Sequence, residues 1–455
     1  MKRKGKSANW KIIWLLCASA ALSVFFSVSH FINVSPDKPN VILITIDTLR
    51  ADHLGCYGYK LNTSPHIDNF AKEAAIFTQA ITQGSKTCLA LPSIHTSTYP
   101  RTHGCYSEYY EADSSVPRLS EVLKKYNYAT AAFVEGTVSA KGLKVGFDVC
   151  CVLSKKEVMQ EAVPWLQKNY KKRFFMWVHY LDPHGPYQPI APYDNLFTGK
   201  FSLGKRFIPA GINKIPYFIK NNAETDVNYF ISQYDGEIRF TDDQIGLLLA
   251  NLKRLGIDKN SIVVITADHG EMLGEHDIYF THMSLYDENI RVPLLVRYKK
   301  MIPRERKISY QVKSIDIAPT ILEFLGLPRE RRMQGNSFFK LIRGKDFTFP
   351  EFAYSEHARD KDNFIEECVR TSSWKLIYTK DTNNGGTAVE YYELYNLTAD
   401  PGEIYNLAAL NWEKLNTLKE KLDNWRRSTL LTTIKQSKEF TEKEKTELRS
   451  LGYLQ

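Results

Sequence analysis

The sequence has no Cys-x-x-Cys pair in its 455 residues. Its cysteines stand at 17, 56, 88, 105, 150, 151 and 368, and that spacing gives no support to a thiolate zinc site. Six of them lie outside the apolar N-terminal run, and an oxidising compartment would allow some bridges, with no readable connectivity. The G-x-x-x-x-G-K-[ST] spacing of a P-loop is missing. So is any cluster of basic residues interleaved with aromatics, which argues against a nucleic-acid partner. There are no internal repeats and no low-complexity linker. With 43% hydrophobic and 24% charged residues, a wholly disordered chain is excluded. The length suits one large α/β domain plus a smaller one.

The net charge of +9 is less than it looks. Lys2, Arg3, Lys4, Lys6 and Lys11 all precede the first acid, Asp37, so about half of the excess belongs to a terminal tail. Residues Ile12 to Ile32 then form a 21-residue, mostly apolar run without Asp, Glu, Lys or Arg. At ~1.5 Å per helical residue it can cross a ~30 Å hydrocarbon layer. The basic flank places residues 1–11 in the cytoplasm and the bulk of the chain outside. The expectation is a membrane anchor over 12–32 with an extracytoplasmic catalytic part. Ala18-Ser19-Ala20 offers the alternative of a cleaved signal and a secreted or periplasmic protein.

Short apolar runs at Val41–Ile46, Ala129–Val134, Phe174–Tyr180, Ile262–Thr266 and Pro293–Val296 have the length of fully buried strands. Helical patterns separate them, over Leu119–Lys125, Lys156–Tyr170, Gln244–Leu255 and Ile315–Leu325, and one starting at Ser64-Pro65. This alternation predicts an α/β fold, a mainly parallel central sheet with helices on both faces. From about residue 350 the texture turns aromatic and turn-rich. Trp374–Tyr378 and Tyr391–Leu397 predict a small antiparallel sheet, followed by a charged helix over Asn411–Ser428 and a helical tail over Phe440–Gln455.

Ligands of open α/β sheets bind outside the carboxyl ends of the strands. Three predicted strands end in ligand-type residues: Asp47 after the first, Asp182 and His184 after the third apolar run, and Asp268-His269 after the fourth. A single such carboxylate often only caps the next helix. Three together, each with a histidine near, point to a divalent cation held by oxygen and imidazole, suited to Ca, Mg, Mn or Zn. The stretch Gln83-Gly84-Ser85-Lys86-Thr87-Cys88 enters a helix. It offers backbone N–H groups and a cation, Lys86, to an anion, and a hydroxyl at the helix start.

Taken in order, these segments resemble the sulfatase family of the alkaline-phosphatase superfamily. The resemblance runs from Pro39 to the C-terminus. It opens on Ile46-Asp47-Thr48-Leu49-Arg50-Ala51-Asp52-His53 and Gly55-Cys56-Tyr57-Gly58, and continues through Tyr99-Pro100-Arg101-Thr102-His103-Gly104 and Tyr234-Asp235-Gly236-Glu237. It then takes in Ala267-Asp268-His269-Gly270-Glu271, Arg291-Val292-Pro293-Leu294, Glu393-Leu394-Tyr395-Asn396-Leu397 and Asp400-Pro401-Gly402-Glu403. It implies an alkaline-phosphatase-like catalytic domain over 38–350 and a C-terminal subdomain with a helical tail over 351–455. It also implies a metal-dependent hydrolase or transferase of sulfuryl or phosphoryl esters. One divalent metal ion would be held by Asp47, Asp268 and His269. His184 and His282 would attend the substrate anion and its leaving group, while Lys86 is expected to bind the anion from its own place in the turn that enters the helix.

The family nucleophile, a Cys or Ser in C/S-x-P-x-R that becomes formylglycine, has no counterpart. Counting back without gaps from Tyr99-Pro100 puts Thr87 at that position, with Leu89 and Leu91 where the proline and arginine belong. Formylglycine is therefore not expected. Thr87 also resembles the threonine nucleophile of membrane-anchored transferases of phosphoethanolamine or glycerol phosphate. Thr48 stands where many sulfatases have a second metal-binding Asp. The reading put first is a phosphoryl hydrolase or transferase using Thr87 on a cell-surface or envelope ester. The alternatives are a hydrolase of sulfated glycans and a silent, anion-binding family member.

Overall fold

The computed structural model describes residues 38–429 apart from 108–109, 137–141, 201–205, 210–211, 213–214, 221–223, 303–305, 346–348, 360–363 and 383–386, together with 441–442 and 445–446. By contacts the chain divides at Pro39, and the elements below lie in the unit that begins at Asn40. The expected anchor over 12–32 and almost all of the expected helical tail over 440–455 fall outside the described residues. No helix among the described residues is long and apolar enough to cross a membrane.

The strands are β1 (Asn40–Ile46), β2 (Ala75–Ile81), β3 (Ala129–Glu135), β4 (Val149–Leu153), β5 (Phe174–Tyr180), β6 (Ser261–Ala267), β7 (Met272–Leu273), β8 (Tyr279–Thr281), β9 (Arg291–Arg297), β10 (Arg306–Ile308) and β11 (Val312–Lys313). Nine of them form one sheet in the order β10-β2-β9-β6-β1-β5-β3-β4, with β11 beside β2. Every residue of β1, β5 and β6 is buried, so both faces of the centre are covered. That is why these strands read as unbroken apolar runs.

The sheet is mainly parallel, as expected, but β9 runs antiparallel to both β2 and β6. The run Pro293–Val296 gave no hint of its direction, because a buried strand looks the same either way. The predicted helix over Gln244–Leu255 is the second half of a 28-residue helix, Val227–Arg254. Its first half carries the buried polar stretch from Ser232 to Glu237, which masks the amphipathic period.

The smaller sheet is β12 (Ala353–Arg359), β13 (Phe364–Arg370), β14 (Trp374–Asp381) and β15 (Val389–Asn396), all antiparallel. The helix Trp412–Ser428 follows, capped by the Asn411 side chain, which accepts from the Lys414 N–H at 3.1 Å. It buries Leu418, Leu422 and Trp425 against Val369, Leu376 and Leu394, each worth ~1.5–3 kcal/mol. On the other face of β14, away from this helix, Lys375 is fully buried with Asp287 and Glu403 each 2.7 Å away.

Candidate active site

The central strands deliver the site from their carboxyl ends. Asp47 directly follows β1, and its N–H donates to the Tyr180 carbonyl of β5 at 2.9 Å. Asp268 and His269 directly follow β6, in register with β1. Thr87 opens the helix Thr87–Thr96. Its hydroxyl donates to Asp47 Oδ2 at 3.1 Å and lies 3.3 Å from His269 Nε2. His269 Nε2 is in turn 3.5 Å from Asp47 Oδ1 and 3.7 Å from Asp268 Oδ2. The four side chains are buried together.

This donor set fits a divalent cation. Asp47 Oδ1 and Asp268 Oδ2 are buried without a hydrogen-bond partner, which is costly unless a cation faces them. Burial, and after it the Asp268 charge, holds Asp47 well above the usual carboxylate range. Burial also raises Asp268. Two carboxylates driven toward their neutral forms would be returned to their charged forms by a bound cation. His269 Nδ1 donates to the Gly270 carbonyl at 3.0 Å. That leaves the Nε2 lone pair facing both carboxylates, the tautomer a metal ligand needs. Asp47, Asp268 and His269 place one ligand atom each within 4.8 Å of one another.

The remaining predicted residues converge on the same place. The His282 ring lies 4.7 Å from that of His269 and 5.3 Å from that of His184, centre to centre. Burial, then the His282 charge, lowers His184 to about 4. His184 Nδ1 donates to the Gly185 carbonyl at 2.6 Å, so Nε2 is the atom through which it exchanges a proton. Burial lowers His282 well below the usual range, with His269 and Lys86 adding to the effect. Lys86 is half-buried just ahead of Thr87. Thr48 adopts a left-handed backbone, φ 51°. Its carbonyl accepts from the Tyr234 hydroxyl at 2.8 Å, while its own hydroxyl is buried with no partner.

Three residues escape a reading of the sequence. His179 of β5 sits opposite Thr45, with Nε2 4.0 Å from Asp47 Oδ2. Trp177 Nε1 donates to the Thr45 hydroxyl at 2.9 Å, and that hydroxyl can donate onward to His179 Nδ1 at 2.8 Å. The ring proton is then left on Nε2, toward Asp47. A histidine inside an apolar strand, one residue from its end, was the available signal. Glu271 accepts from the Tyr187 hydroxyl at 3.0 Å and lies 3.7 Å from His282 Nδ1. His357 of β12 lies 2.7 Å from the Ser85 hydroxyl, and no local pattern links positions that far apart.

The loop carrying His184 is held by a buried charge cluster. Lys155 Nζ stands 2.5 Å from Asp182 and 3.2 Å from Glu237. Glu135 accepts from the Leu181 N–H, and Glu237 from the Gln188 N–H. Elsewhere His66, Asp242 and Asp243 also come within metal-binding reach of one another. There Asp242 caps the N–H groups of His66 and Ile67, and Asp243 accepts from the Tyr193 hydroxyl, so this group is a helix cap.

Comparison with known proteins agrees with this geometry. Residues 39–327 match the Sulfatase family model, and residues 274–428 match the C-terminal domain of N-sulphoglucosamine sulphohydrolase. The chain is 24% identical to an ulvan-active sulfatase of Formosa agariphila, covering 85% of this chain and 78% of that protein. It is 24% identical to arylsulfatase K of Bos taurus, covering 85% and 81%. Among solved structures, the phosphonate monoester hydrolase of Agrobacterium radiobacter superimposes with a TM-score of 0.73 at 20% identity, covering 89% of this chain and 99% of that one. A protein solved with its substrate D-glucosamine-2-N,6-O-disulfate gives 0.74 at 20% identity, covering 86% and 98%. From Pro39 to Leu327 the match takes in Asp47, Thr87, Asp268 and His269, and the chain belongs to the sulfatase family of ester hydrolases.

Proposed function

We propose that this protein cleaves or transfers an anionic ester with Thr87 as its nucleophile, and that a phosphoryl ester is its preferred substrate. The observation that carries the reading is the Thr87 hydroxyl at a helix start, 3.1 Å from Asp47 and 3.3 Å from His269. Asp47, Asp268 and His269 would hold the metal. A divalent ion bound there supplies positive charge that lowers the pKa of a nearby hydroxyl and polarises the ester oxygen. The chain's own groups do the rest. Thr87 Oγ1 attacks phosphorus as its proton passes to a neighbouring base, the leaving oxygen departs, and a covalent Thr87 ester remains. Lys86 balances charge on the non-bridging oxygens. His184, neutral at its lowered pKa, takes or returns a proton through Nε2. Water or an acceptor hydroxyl then releases Thr87. Cys88 stays a thiol, since the modification signal around it is incomplete.

A second reading, hydrolysis of sulfate esters on glycans, is favoured by the relatives, which include an ulvan-active sulfatase and arylsulfatase K. The location read from the N-terminus belongs to the proposal: an anchored or exported enzyme meeting cell-surface or envelope esters. The test offers one aryl leaving group as a sulfate monoester and as a phosphodiester to the full chain with Mn or Ca. Faster phosphodiester cleavage supports the first reading. Faster sulfate cleavage overturns it in favour of the second, and peptide mapping of Cys88 is then the next step.

A further inference from the structure

We propose that His357, on the first strand of the C-terminal sheet, is a positioning residue for the Thr87 hydroxyl, acting through Ser85. The inference rests on the reading of Thr87 as the nucleophile.

Three consecutive residues of β12 grip the segment that leads into Thr87. The Ser355 hydroxyl donates to the Thr82 carbonyl at 2.5 Å, and the Glu356 N–H donates to the Gln83 carbonyl at 3.0 Å. Gly84 and Glu356 form an isolated parallel bridge. His357 Nδ1 then reaches the Ser85 hydroxyl at 2.7 Å, and both residues are completely buried. From the other side the Ile315 N–H donates to Gln83 Oε1 at 2.9 Å. The segment also folds tightly onto the helix it feeds. A Cβ at Gly84 would stand 2.3 Å from Leu89 Cβ. The Lys86 carbonyl accepts from the Leu89 and Ala90 N–H groups, which fixes where the helix, and with it Thr87, begins.

Along this segment the grip changes character. β12 holds Thr82 and Gln83 through their backbone carbonyls. Ser85 is held through its side chain, and it is the last residue so anchored before Lys86 and Thr87. Removing the His357 ring therefore spares the backbone bonds of β12 and releases the link next to the nucleophile. An error of about 1 Å in a reacting group lowers a rate ~100-fold, so this link sets the rate more than the fold.

The test compares Ser85→Ala, His357→Leu, the double variant and His357→Asn in the full chain, on the better aryl ester. The expected result is a kcat ~10–100-fold lower in each single removal, with KM within about twofold and metal content unchanged. The double variant falls no further than the worse single one, because both break one link. His357→Asn, which can place an amide nitrogen near the Nδ1 position, restores kcat to within several-fold. Wild-type kcat in folded His357→Leu and Ser85→Ala overturns the proposal. So does a kcat loss matched by loss of bound metal, or one that Asn does not relieve. If His357→Leu fails to fold, Ser85→Ala, which removes one oxygen, decides alone on the same two readouts. Thr87→Ala separates the two levels: full activity there sinks the nucleophile reading itself, whereas a dead Thr87→Ala beside fully active Ser85→Ala and His357→Leu sinks only this inference.

Discussion

The Thr87 hydroxyl and the Asp47 carboxylate stand 3.1 Å apart although forty positions separate them. The fold achieves this by ending β1 just before Asp47 and starting a helix at Thr87 beside that carboxyl end of the strand. Thr87 is neither a helix cap in this structure nor a core residue, since its side chain points at two acids and an imidazole. Thr87→Ala should lower kcat ~1,000-fold or more on the preferred ester, as loss of a nucleophile does. Thr87→Ser should keep most of the activity, since it keeps the hydroxyl. Intact-mass spectrometry after rapid quench should find the covalent adduct in wild type and not in Thr87→Ala. An adduct in both variants would place the nucleophile elsewhere.

Metal removal gives a readout apart from turnover. A cation that binds the folded state alone adds ~2.7 kcal/mol when its concentration is a hundredfold above Kd. Chelation should therefore lower Tm by a few degrees, and Mn, Ca, Mg or Zn should restore it to different extents. Asp268→Asn should abolish the shift, because it removes one of the two carboxylates that face His269. An equal metal-induced shift in wild type and Asp268→Asn would mean the ion binds elsewhere.

The parts of this architecture that speak in the sequence are those made by apolar burial. Phe174–Tyr180 is a strand with the predicted ends, and Leu119–Lys125 is a helix with the predicted ends. The carboxylates at the strand ends were legible because α/β sheets present ligands there. What stayed hidden is polar and long-range. β12 carries Ser355, Glu356 and His357, all buried, and such a run does not look like a core strand. Its burial depends on partners far away, such as Arg101, whose Nε donates to Glu356 at 3.2 Å, and Ser85. Likewise the stretch Ser232 to Glu237 reads as a surface segment. It is buried because Asp235 meets His53 and Tyr59, and Glu237 meets Lys155.

Lys375 tests how the small sheet is held to the large one. Its ammonium is fully buried between Asp287 and Glu403 and also donates to the Leu285 carbonyl at 3.0 Å. Lys375→Met fills the space and leaves two buried acids with one cation fewer, Arg370 still pairing with Asp287. Removing one partner of a buried pair costs ~3–5 kcal/mol. Urea unfolding should show that loss, and the addition of Glu403→Gln should recover part of it. A loss below about 1 kcal/mol, the scale of an exposed pair, would contradict the burial seen here.

Glu135 carries a pH dependence whose sign can be worked out. Burial raises it to about 8, with the neighbouring Asp182 adding to the rise, from an ordinary value near 4.5. The folded chain thus keeps a proton that the unfolded chain releases. Between pH ~4.5 and ~8 the unfolded state binds fewer protons at this position, so its contribution to stability falls as pH rises and levels off above the folded pKa. Glu135→Gln keeps an oxygen to accept from the Leu181 N–H and cannot ionise. The Tm of this variant minus that of wild type should therefore grow more positive from pH 5 to pH 9. A difference that is flat across that range would show that Glu135 ionises in the folded state as readily as in the unfolded chain.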